Sequence, residues 1–282
     1  MGLRFNTNVP ALVAQRHLRT ARTDLDRNFE RLSSGLKINH AGDNAAGLAV
    51  SESLRAQIRG LTQTEHNAQD GISVVQIAEG ALQEISNLLI RMRELGVQAA
   101  SDTIGDSERK FLNIEFQQSL SEIDRIAGST QFNQAPLLNG SQSQYEIQIG
   151  IGNNPVIDRI KLFEGNSNDV SAVSLGVNLT SVNDKISAQN SLEAIDGGLN
   201  TLTQLRAQLG AVQNRLQSIV NNIRISRENI VTATSRIRDT DIAEETTELT
   251  RNQILSQAGV SILTQANTTM KSALNLLGQG GN

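Results

Sequence analysis

The chain contains no cysteine and no tryptophan, and it has few other aromatic residues. Its 282 residues include one tyrosine and six phenylalanines. Without cysteine the chain forms no disulfide scaffold, no thiolate metal site and no cysteine nucleophile. Aromatic side chains dominate the energetics of thick globular cores, so their scarcity argues against one such core. Apolar residues still make up 38% of the chain, which is too many for a simple disordered protein. Since they are mostly aliphatic, we expect thin layers of packed helices.

Proline is also scarce. The three prolines are Pro10, Pro136 and Pro155, which leaves residues 11–135 and 156–282 without any. A proline inside a helix costs about 3 kcal/mol. The spacing therefore predicts two sets of long helices joined by a short middle segment.

Neither a strong charge of one sign nor a long apolar run is present. The 25 basic and 29 acidic residues give a net charge of −4, which provides no field to attract nucleic acid. Arg16, Arg19 and Arg22 interrupt any apolar segment of a secretory signal, and the charge-free run 252–270 is rich in Gln, Ser, Thr and Asn. We therefore expect no nucleic-acid partner, no membrane insertion and, if the protein leaves the cell, export without a cleavable signal peptide.

Aliphatic residues recur every seven positions in the second half of the chain. The main series is Ile195, Leu202, Leu209, Leu216, Ile223, Ile230 and Ile237. Leu205, Val212 and Ile219 form a second series, and the two together have the 3-4 alternation of a coiled-coil seam. A seam this narrow predicts a long helix with a slender helical partner.

The first half of the chain supplies that partner. Val75, Leu82 and Leu89 form one heptad series. A second series is Ala78, Ile85, Met92 and Ala99. The pattern predicts one helix from about residue 45 to about residue 100, with Asp43 or Asn44 as its N-cap.

Shorter helices are predicted on both sides of that long helix. Leu112, Phe116, Leu120, Ile123 and Ala127 lie on one helical face. This helix is expected to begin with Asp106 as its N-cap, between Gly105 and Gly128. The opening segment also has helical spacing and is expected to end at Ser34 and Gly35.

The middle of the chain has the period of a strand. Alternating apolar residues are found on both sides of a turn sequence at 152–155: Tyr145, Ile147, Ile149, Ile151, then Val156, Ile160 and Leu162. The pattern predicts a β-hairpin near 143–163, followed by a Gly-, Ser- and Asn-rich loop from about 165 to 184. Because a lone hairpin is marginally stable in water, it must pack on the helices.

The C-terminal tail has apolar residues but almost no charge. Lys271 is its single charged residue between 252 and 282. The apolar stripe comprises Leu255, Ile262, Ala266, Met270, Ala273 and Leu277. In an isolated monomer such a tail is expected to be poorly ordered. Alternatively it is a helix buried against copies of itself, where a charge would meet the same charge in every copy.

The sequence contains no convincing constellation for chemistry. His17, His40 and His66 are isolated from further ligand-type residues at helical spacing, which argues against a metal site. An acidic cluster comprises Asp239, Asp241, Glu244, Glu245 and Glu248, and we interpret it as favourable charge in the first turn of the last helix. We expect no enzyme activity, no cofactor and no metal.

Several motifs resemble those of bacterial flagellins. In the first half they are FNTNVPAL at 5–12, RLSSGLKIN at 31–39, DNAAGLA at 43–49, NAQDGIS at 67–73 and AEGAL at 78–82. In the second half they are LGAVQNRL at 209–216, SRIRDTD at 235–241, QILSQAG at 253–259 and QAN at 265–267. Departures from the family are Asn44, where many relatives have a second aspartate, and a tail without the usual proline.

The resemblance implies a mainly α fold in which both arms of the chain form long antiparallel helices with a small central hairpin. It implies an inner-core domain made of 1–42 and 240–282, and a coiled-coil domain at 43–239 without inserted outer domains. The function implied is the structural subunit of a flagellar filament, a hollow extracellular polymer used as a propeller. A sheathed or periplasmic filament stays open. The alternatives are a hook–filament junction protein and a cytoplasmic coiled-coil scaffold.

The resemblance and the apolar stripes together designate the expected contact residues. Assembly residues of the inner core are Leu18, Leu25, Phe29, Leu32, Leu255, Ile262, Met270 and Leu277. Besides other copies of the chain, the resemblance implies a secretion chaperone, a filament cap and hook-associated proteins as partners. It further implies a patch for a vertebrate innate immune receptor at Arg91, Leu95 and Glu115.

Overall fold

The structure is a computed structural model that describes residues 7–141, 145–163 and 168–278, with side chains up to residue 272. The helices are α1 (Val9–Ser34), α2 (Ala45–Ala99), α3 (Asp106–Ser129), α4 (Lys185–Arg238) and α5 (Ile242–Gly278). The strands are β1 (Gln131–Phe132), β2 (Ala135–Pro136), β3 (Glu146–Gln148) and β4 (Arg159–Lys161). The mainly α fold predicted from the sequence is confirmed.

The chain divides into two compact units. Unit 1 comprises residues 1–56 and 229–282, and unit 2 comprises residues 57–228. Unit 1 holds α1 and α5, and unit 2 holds α3, both small sheets and most of α2 and α4. The division into 1–42 with 240–282 and 43–239 concerned roles in an assembly, and it stays a prediction.

Capping residues fix both ends of α1 and the start of α2, and of these the stop at Gly35 and the cap of α2 were predicted from the sequence. The Oδ1 atom of Asn8 accepts a hydrogen bond from the backbone N–H of Ala11 at 3.1 Å, and Gly35 ends α1 with a φ of 71°. The Oδ1 atom of Asn44 accepts from the backbone N–H of Gly47 at 2.9 Å, which makes Asn44 the cap of α2. Asp43 instead accepts from the backbone N–H of His40, which holds the pKa of Asp43 below its ordinary value.

The prediction that Asp106 caps α3 was wrong. Gly105 occupies the N-cap position, and Asp106 lies in the first turn, where it accepts from Nη1 of Arg109 at 2.8 Å. The Nε and Nη2 atoms of buried Arg109 donate to the carbonyl oxygens of Ala99 and Ser101, each at 2.9 Å. Arg109 thereby satisfies carbonyl groups that the end of α2 leaves without helical partners.

The central hairpin is present but shorter than predicted. Strand β3 pairs with β4 in antiparallel register, with Ile147 opposite Ile160. Residues 156–158, which were predicted as strand, form a turn, because the Asp158 carboxylate accepts from the backbone N–H of Asn154 at 2.8 Å. A Cβ atom at Gly150 would collide with that carboxylate, so only glycine fits. Strands β1 and β2 were not predicted from the sequence.

The core of unit 2 is the seam between α2 and α4. Salt bridges from Glu65 to Arg224 and from Arg93 to Asp196 show that the two helices run antiparallel. The predicted residues of the main heptad series within this unit are at most 6% exposed: Val75, Leu82, Leu89, Ile195, Leu202, Leu209, Leu216 and Ile223. Val212 and Ile219 of the second series are partly buried beside them. Burying each aliphatic side chain contributes about 1.5–3 kcal/mol, so this seam is a large source of stability in unit 2.

Candidate assembly surfaces

Helices α1 and α5 of unit 1 pack along a seam made largely of small residues. The buried positions of α1 are Ala14, Ala21 and Asn28, spaced seven residues apart. The facing positions of α5 follow the same spacing: Glu245, Asn252, Gly259 and Ala266. A Cβ atom at Gly259 would lie 3.4 Å from the Cδ1 atom of Leu18, so the two helices approach closely there. This seam leaves the larger aliphatic side chains of both helices to face elsewhere.

The predicted assembly residues divide between the seam and the outer faces. Leu18, Leu25, Leu32 and Met270 are partly buried beside the small residues. Phe29, Leu255 and Ile262 are 52%, 49% and 59% exposed, respectively. Leu277 lies outside the residues whose side chains the structure describes. Three of the predicted residues are therefore about half exposed in the helix pair.

Further exposed aliphatic residues of α1 and α5 were not predicted from the sequence. The set comprises Val9, Leu12, Val13, Ile242, Ile254 and Val260. Part of this surface is an apolar groove with a volume of about 790 Å³, whose walls include Val13, His17 and Leu18 from α1 and Leu255 and Ile262 from α5. A groove of this kind, open to solvent between two helices, is suited to receive an apolar side chain from another molecule.

A buried polar layer interrupts the small-residue seam. The Nδ2 atom of Asn28 donates to Oε1 of Glu245, and the Nδ2 atom of Asn252 donates to Oδ1 of Asn28 at 2.9 Å. Asn28, Glu245 and Asn252 are all buried, and the Nη1 atom of Arg31 lies 3.7 Å from Oε2 of Glu245. Asn28 continues the spacing of Ala14 and Ala21, which is the signal that could have identified this layer.

The acidic cluster at the start of α5 has two different roles. Asp241 caps the helix by accepting from the backbone N–H of Ala243 at 2.8 Å, and Glu244 lies in the first turn, as predicted. Glu245 is also in the first turn, but it is buried against α1 in the polar layer. The interpretation of the whole cluster as charge at a helix end was therefore too simple.

The last two residues of the heptad series predicted for α4, Ile230 and Ile237, are partly buried and belong to unit 1. Nearby, the Nη1 atom of Arg238 lies 2.6 Å from Oε1 of Glu52. Leu36 forms a β-bridge with Asp239, with the backbone N–H of Thr240 donating to the carbonyl of Gly35 at 3.0 Å. These contacts join the segments next to both terminal helices.

The three residues of the expected receptor patch have different environments. The Nε atom of Arg91 donates to Oε1 of Glu115 at 2.8 Å, and this bond raises the pKa of the Arg91 guanidinium. Arg91 and Glu115 are about half exposed, whereas Leu95 is only 1% exposed and packs in the core of unit 2. The neighbouring exposed apolar residue on α2 is Ile90. The accessible part of the patch is therefore the ion pair and its surroundings.

The histidines are dispersed, as their sequence positions indicated. His17 lines the apolar groove, His66 is exposed, and the Nε2 atom of His40 lies 2.7 Å from Oε1 of Glu30. Over the described residues no three His, Asp or Glu side chains are grouped as metal ligands. In the same part of the chain, no helix combines the length and the hydropathy needed to cross a membrane.

Both arms of the chain match models of one protein family. Residues 5–143 match the bacterial flagellin N-terminal helical region, and residues 192–277 match the bacterial flagellin C-terminal helical region. A flagellin of Halalkalibacterium halodurans is 43% identical over 97% of this chain and 99% of its own length. The flagellin of Bacillus subtilis is 40% identical over 98% of this chain and 100% of its own length. The flagellar filament 33 kDa core protein of Treponema phagedenis is 40% identical over 97% of this chain and 99% of its own.

Solved structures give the same picture of the fold. The crystal structure of Bacillus cereus flagellin has a TM-score of 0.50 and 32% identity, covering 56% of this chain and 88% of that one. A putative flagellar hook-associated protein from Vibrio parahaemolyticus has a TM-score of 0.56 and 14% identity, covering 70% of this chain and all of that one. The second likeness is one of fold alone.

Proposed function

This chain belongs to the bacterial flagellin family and is a structural subunit of the flagellar filament, and we propose that it assembles by burying the exposed apolar faces of α1 and α5 between neighbouring copies. The proposal is supported by the different roles of small and large side chains in unit 1. Small residues and one polar layer hold α1 against α5, while Leu12, Phe29, Ile254 and Ile262 are each at least half exposed. Together with the groove at Leu18 and Leu255 they form an exposed apolar surface, and such surfaces mark sites of interaction with other molecules.

The magnitudes favour ordering on assembly. A fully buried Leu, Ile or Phe contributes about 1.5–3 kcal/mol, whereas fixing the backbone of one residue costs about 1–2 kcal/mol. Because the seam between α1 and α5 buries mainly alanine and glycine, it recovers little of that cost in a single chain. Burial of the outer faces by neighbours supplies the remainder. The terminal segments are therefore expected to be weakly ordered in the monomer and firmly ordered in the polymer.

Seeded polymerisation tests this proposal. Purified monomer is added to short sheared filaments, and growth is followed by electron microscopy. Ile262→Asp places a charge in the apolar groove and is expected to stop growth, whereas Ile262→Val keeps the groove apolar and serves as the matched control. Circular dichroism of the variant monomer checks that the helices of unit 2 stay folded. Normal growth of Ile262→Asp would show that the groove is not an assembly surface, and a wild-type chain that caps seeds without extending them would favour the junction role.

The two domains proposed from the sequence have separate roles in this scheme. The segments 1–42 and 240–282 form the inner core of the filament, and 43–239 forms the shell around it. The filament lies outside the cell membrane, and export proceeds without a cleavable signal peptide. Limited proteolysis tests the division, because the terminal segments are then cut rapidly in the monomer and slowly in the polymer, while 43–239 is resistant in both.

Partners other than the chain itself follow from the same surfaces. A secretion chaperone is expected to cover the apolar face of α5 before export, and the filament cap and hook-associated proteins are expected to contact the subunits at the filament ends. The chaperone contact is tested by isothermal titration calorimetry with the flagellar chaperone of the source organism. Ile262→Asp, which disrupts the same face, is expected to lower the affinity, and Ile262→Val is expected to retain it.

Recognition by a vertebrate innate immune receptor is a further partner proposal, supported by the exposure of Arg91 and Glu115. Leu95 contributes by holding α2 in place beneath them rather than by direct contact. Signalling in receptor-bearing cells treated with purified monomer measures this activity. Arg91→Ala is expected to reduce the signal, with Arg125→Ala, in a similar exposed ion pair on α3, as the control.

A further inference from the structure

Along most of its length the seam between α1 and α5 does not specify a unique alignment. Its small positions are alanine or glycine at intervals of seven residues: Ala14, Ala21, Gly259 and Ala266. Leu18, Leu25 and Leu32 repeat beside them at the same interval. A shift of one helix by seven residues would again place small residues against small residues, and leucines beside them. Apolar packing alone therefore favours several alignments nearly equally.

The polar layer is the part of the seam that distinguishes these alignments. Asn28 bonds two α5 residues that are seven positions apart, donating to Glu245 and accepting from Asn252. After a shift of seven residues in one direction Asn28 still faces Asn252 but loses Glu245, and after a shift in the other direction it keeps Glu245 but loses Asn252. Only the observed alignment satisfies both bonds, and a buried polar group without a partner is costly.

We propose that Asn28, Glu245 and Asn252 fix the axial register of α1 on α5, and so determine which apolar side chains the helix pair presents to neighbouring copies. This register role deepens the proposed function and rests on it, since the observed alignment is the one that brings Leu18 together with Leu255 and Ile262 around the groove. The β-bridge between Leu36 and Asp239 agrees with the same register, but it consists of backbone bonds at the end of the pair. A shift of seven residues has to break these backbone bonds, and no variant below changes their residues, so a difference between variants measures what the side chains add.

The absence of cysteine makes the register directly measurable by disulfide trapping. A Cβ atom at residue 259 lies 3.6 Å from the Cβ of Leu18, within the range of a disulfide, so Leu18→Cys with Gly259→Cys reports the observed register. Leu18→Cys with Ala266→Cys reports a shift of seven residues. In the observed register Ala266 lies beside Asn8, whose Nδ2 donates to its carbonyl at 3.3 Å, and Asn8 is roughly 15 Å along α1 from Leu18.

Each cysteine pair is oxidised in the full-length chain, both as monomer and in seeded filaments. The measured quantity is the yield of the cross-link for the shifted register divided by the yield of the cross-link for the observed register. Asn28→Leu is expected to raise this ratio at least tenfold. In the double variant Asn28→Asp with Glu245→Gln, the side chain at 245 donates to the carboxylate at 28, which still accepts from Asn252. Both hydrogen bonds are then present, and the low ratio is expected to return. Leu25→Ala weakens the seam without altering the polar layer, and it is expected to lower both cross-links without changing their ratio.

An unchanged ratio in Asn28→Leu would overturn the register role, as would an equal change in Leu25→Ala. Failure of the proposed function gives a different result. In that case the chain without introduced cysteines does not extend seeds, whatever the cross-link ratio measured in the cysteine variants.

Discussion

Ile195 and Ile225 form a matched pair for testing how much the coiled-coil seam contributes to unit 2. Both lie on α4 and both belong to unit 2, but Ile195 is fully buried and Ile225 is 61% exposed. Ile195→Ala removes apolar surface and leaves a cavity between α2 and α4. The expected loss in the free energy of unfolding is about 2–5 kcal/mol. Ile225→Ala changes little packing, and because alanine favours helix it is expected to lie within about 0.5 kcal/mol of the parent chain.

Thermal and urea unfolding of the monomer measure the difference. Circular dichroism at the helix band follows α2 and α4, and the emission of the single tyrosine follows the hairpin in the same unit. For a unit of this size 1 kcal/mol shifts the Tm by about 2–4 °C, so Ile195→Ala is expected to lower the Tm well beyond the error of the method. Equal losses in the two variants, or a loss below 1 kcal/mol in Ile195→Ala, would refute the assignment of the stability of unit 2 to this seam.

Three further predictions concern unit 2. The arginine hydrogen bonds that hold the Glu65 carboxylate lower its pKa below 4.5, so their contribution to stability is present above about pH 4.5 and is lost as the pH falls through the lowered value. Glu65→Gln is expected to destabilise the monomer at pH 7 and to flatten its acid unfolding curve, as followed by circular dichroism. A Cβ atom at Gly60 would lie 2.8 Å from the Cγ2 of Ile151, so Gly60→Ala is expected to cost about 1–3 kcal/mol in urea unfolding. A Cβ atom at Gly80 on the same helix would have no atom within 4 Å, so Gly80→Ala is expected to stabilise the chain by about 0.5–1 kcal/mol. If Gly60→Ala were the more stable of the two variants, the packing described here would be contradicted. Burial raises the pKa of Tyr145, so its phenolate absorbance is expected to appear above pH 10 in the folded chain and to return to about pH 10 in denaturant.

Heptad spacing carried most of the predictive information in the sequence. The seam residues of α2 and α4 were predicted because leucine and isoleucine at a strict interval of seven have few alternatives to a coiled coil. The end of α1 at Gly35 was predicted for a similar reason, since a φ of 71° is rarely adopted by other residues. At these positions a single local signal, the heptad spacing or the conformation of a glycine, determines the structure.

The errors arose where one local interaction competed with another. Asp106 accepts from Arg109 three residues along the chain, and Gly105 takes the N-cap position. Asp158 likewise delays the start of β4, because its carboxylate bonds back to Asn154 across the turn. A carboxylate has several possible partners within a few residues, and only the folded backbone selects one.

The assembly surfaces were predicted in part, for a reason of geometry. The stripe with Leu255, Ile262 and Met270 was identified as apolar, but the sequence does not indicate which members face α1 and which face outward. The spacing of Gly259 and Ala266 with Asn252 resolves this only once α1 is known to pack there. The buried layer at Asn28 and Glu245 was missed because polar residues on a helix are ordinarily interpreted as its solvent face.

The corner between α2 and α3 has a consequence for how the chain withstands acid. Most ion pairs of the molecule depend on a carboxylate that becomes neutral when it binds a proton. At this corner two of the hydrogen bonds from Arg109 go to the carbonyl oxygens of Ala99 and Ser101, which do not titrate. Only the third goes to a carboxylate, that of Asp106, which is exposed. The turn between α2 and α3 is therefore held mainly by a guanidinium group bonded to backbone carbonyls, and we expect it to depend less on pH than the ion pairs whose acceptor is a carboxylate alone.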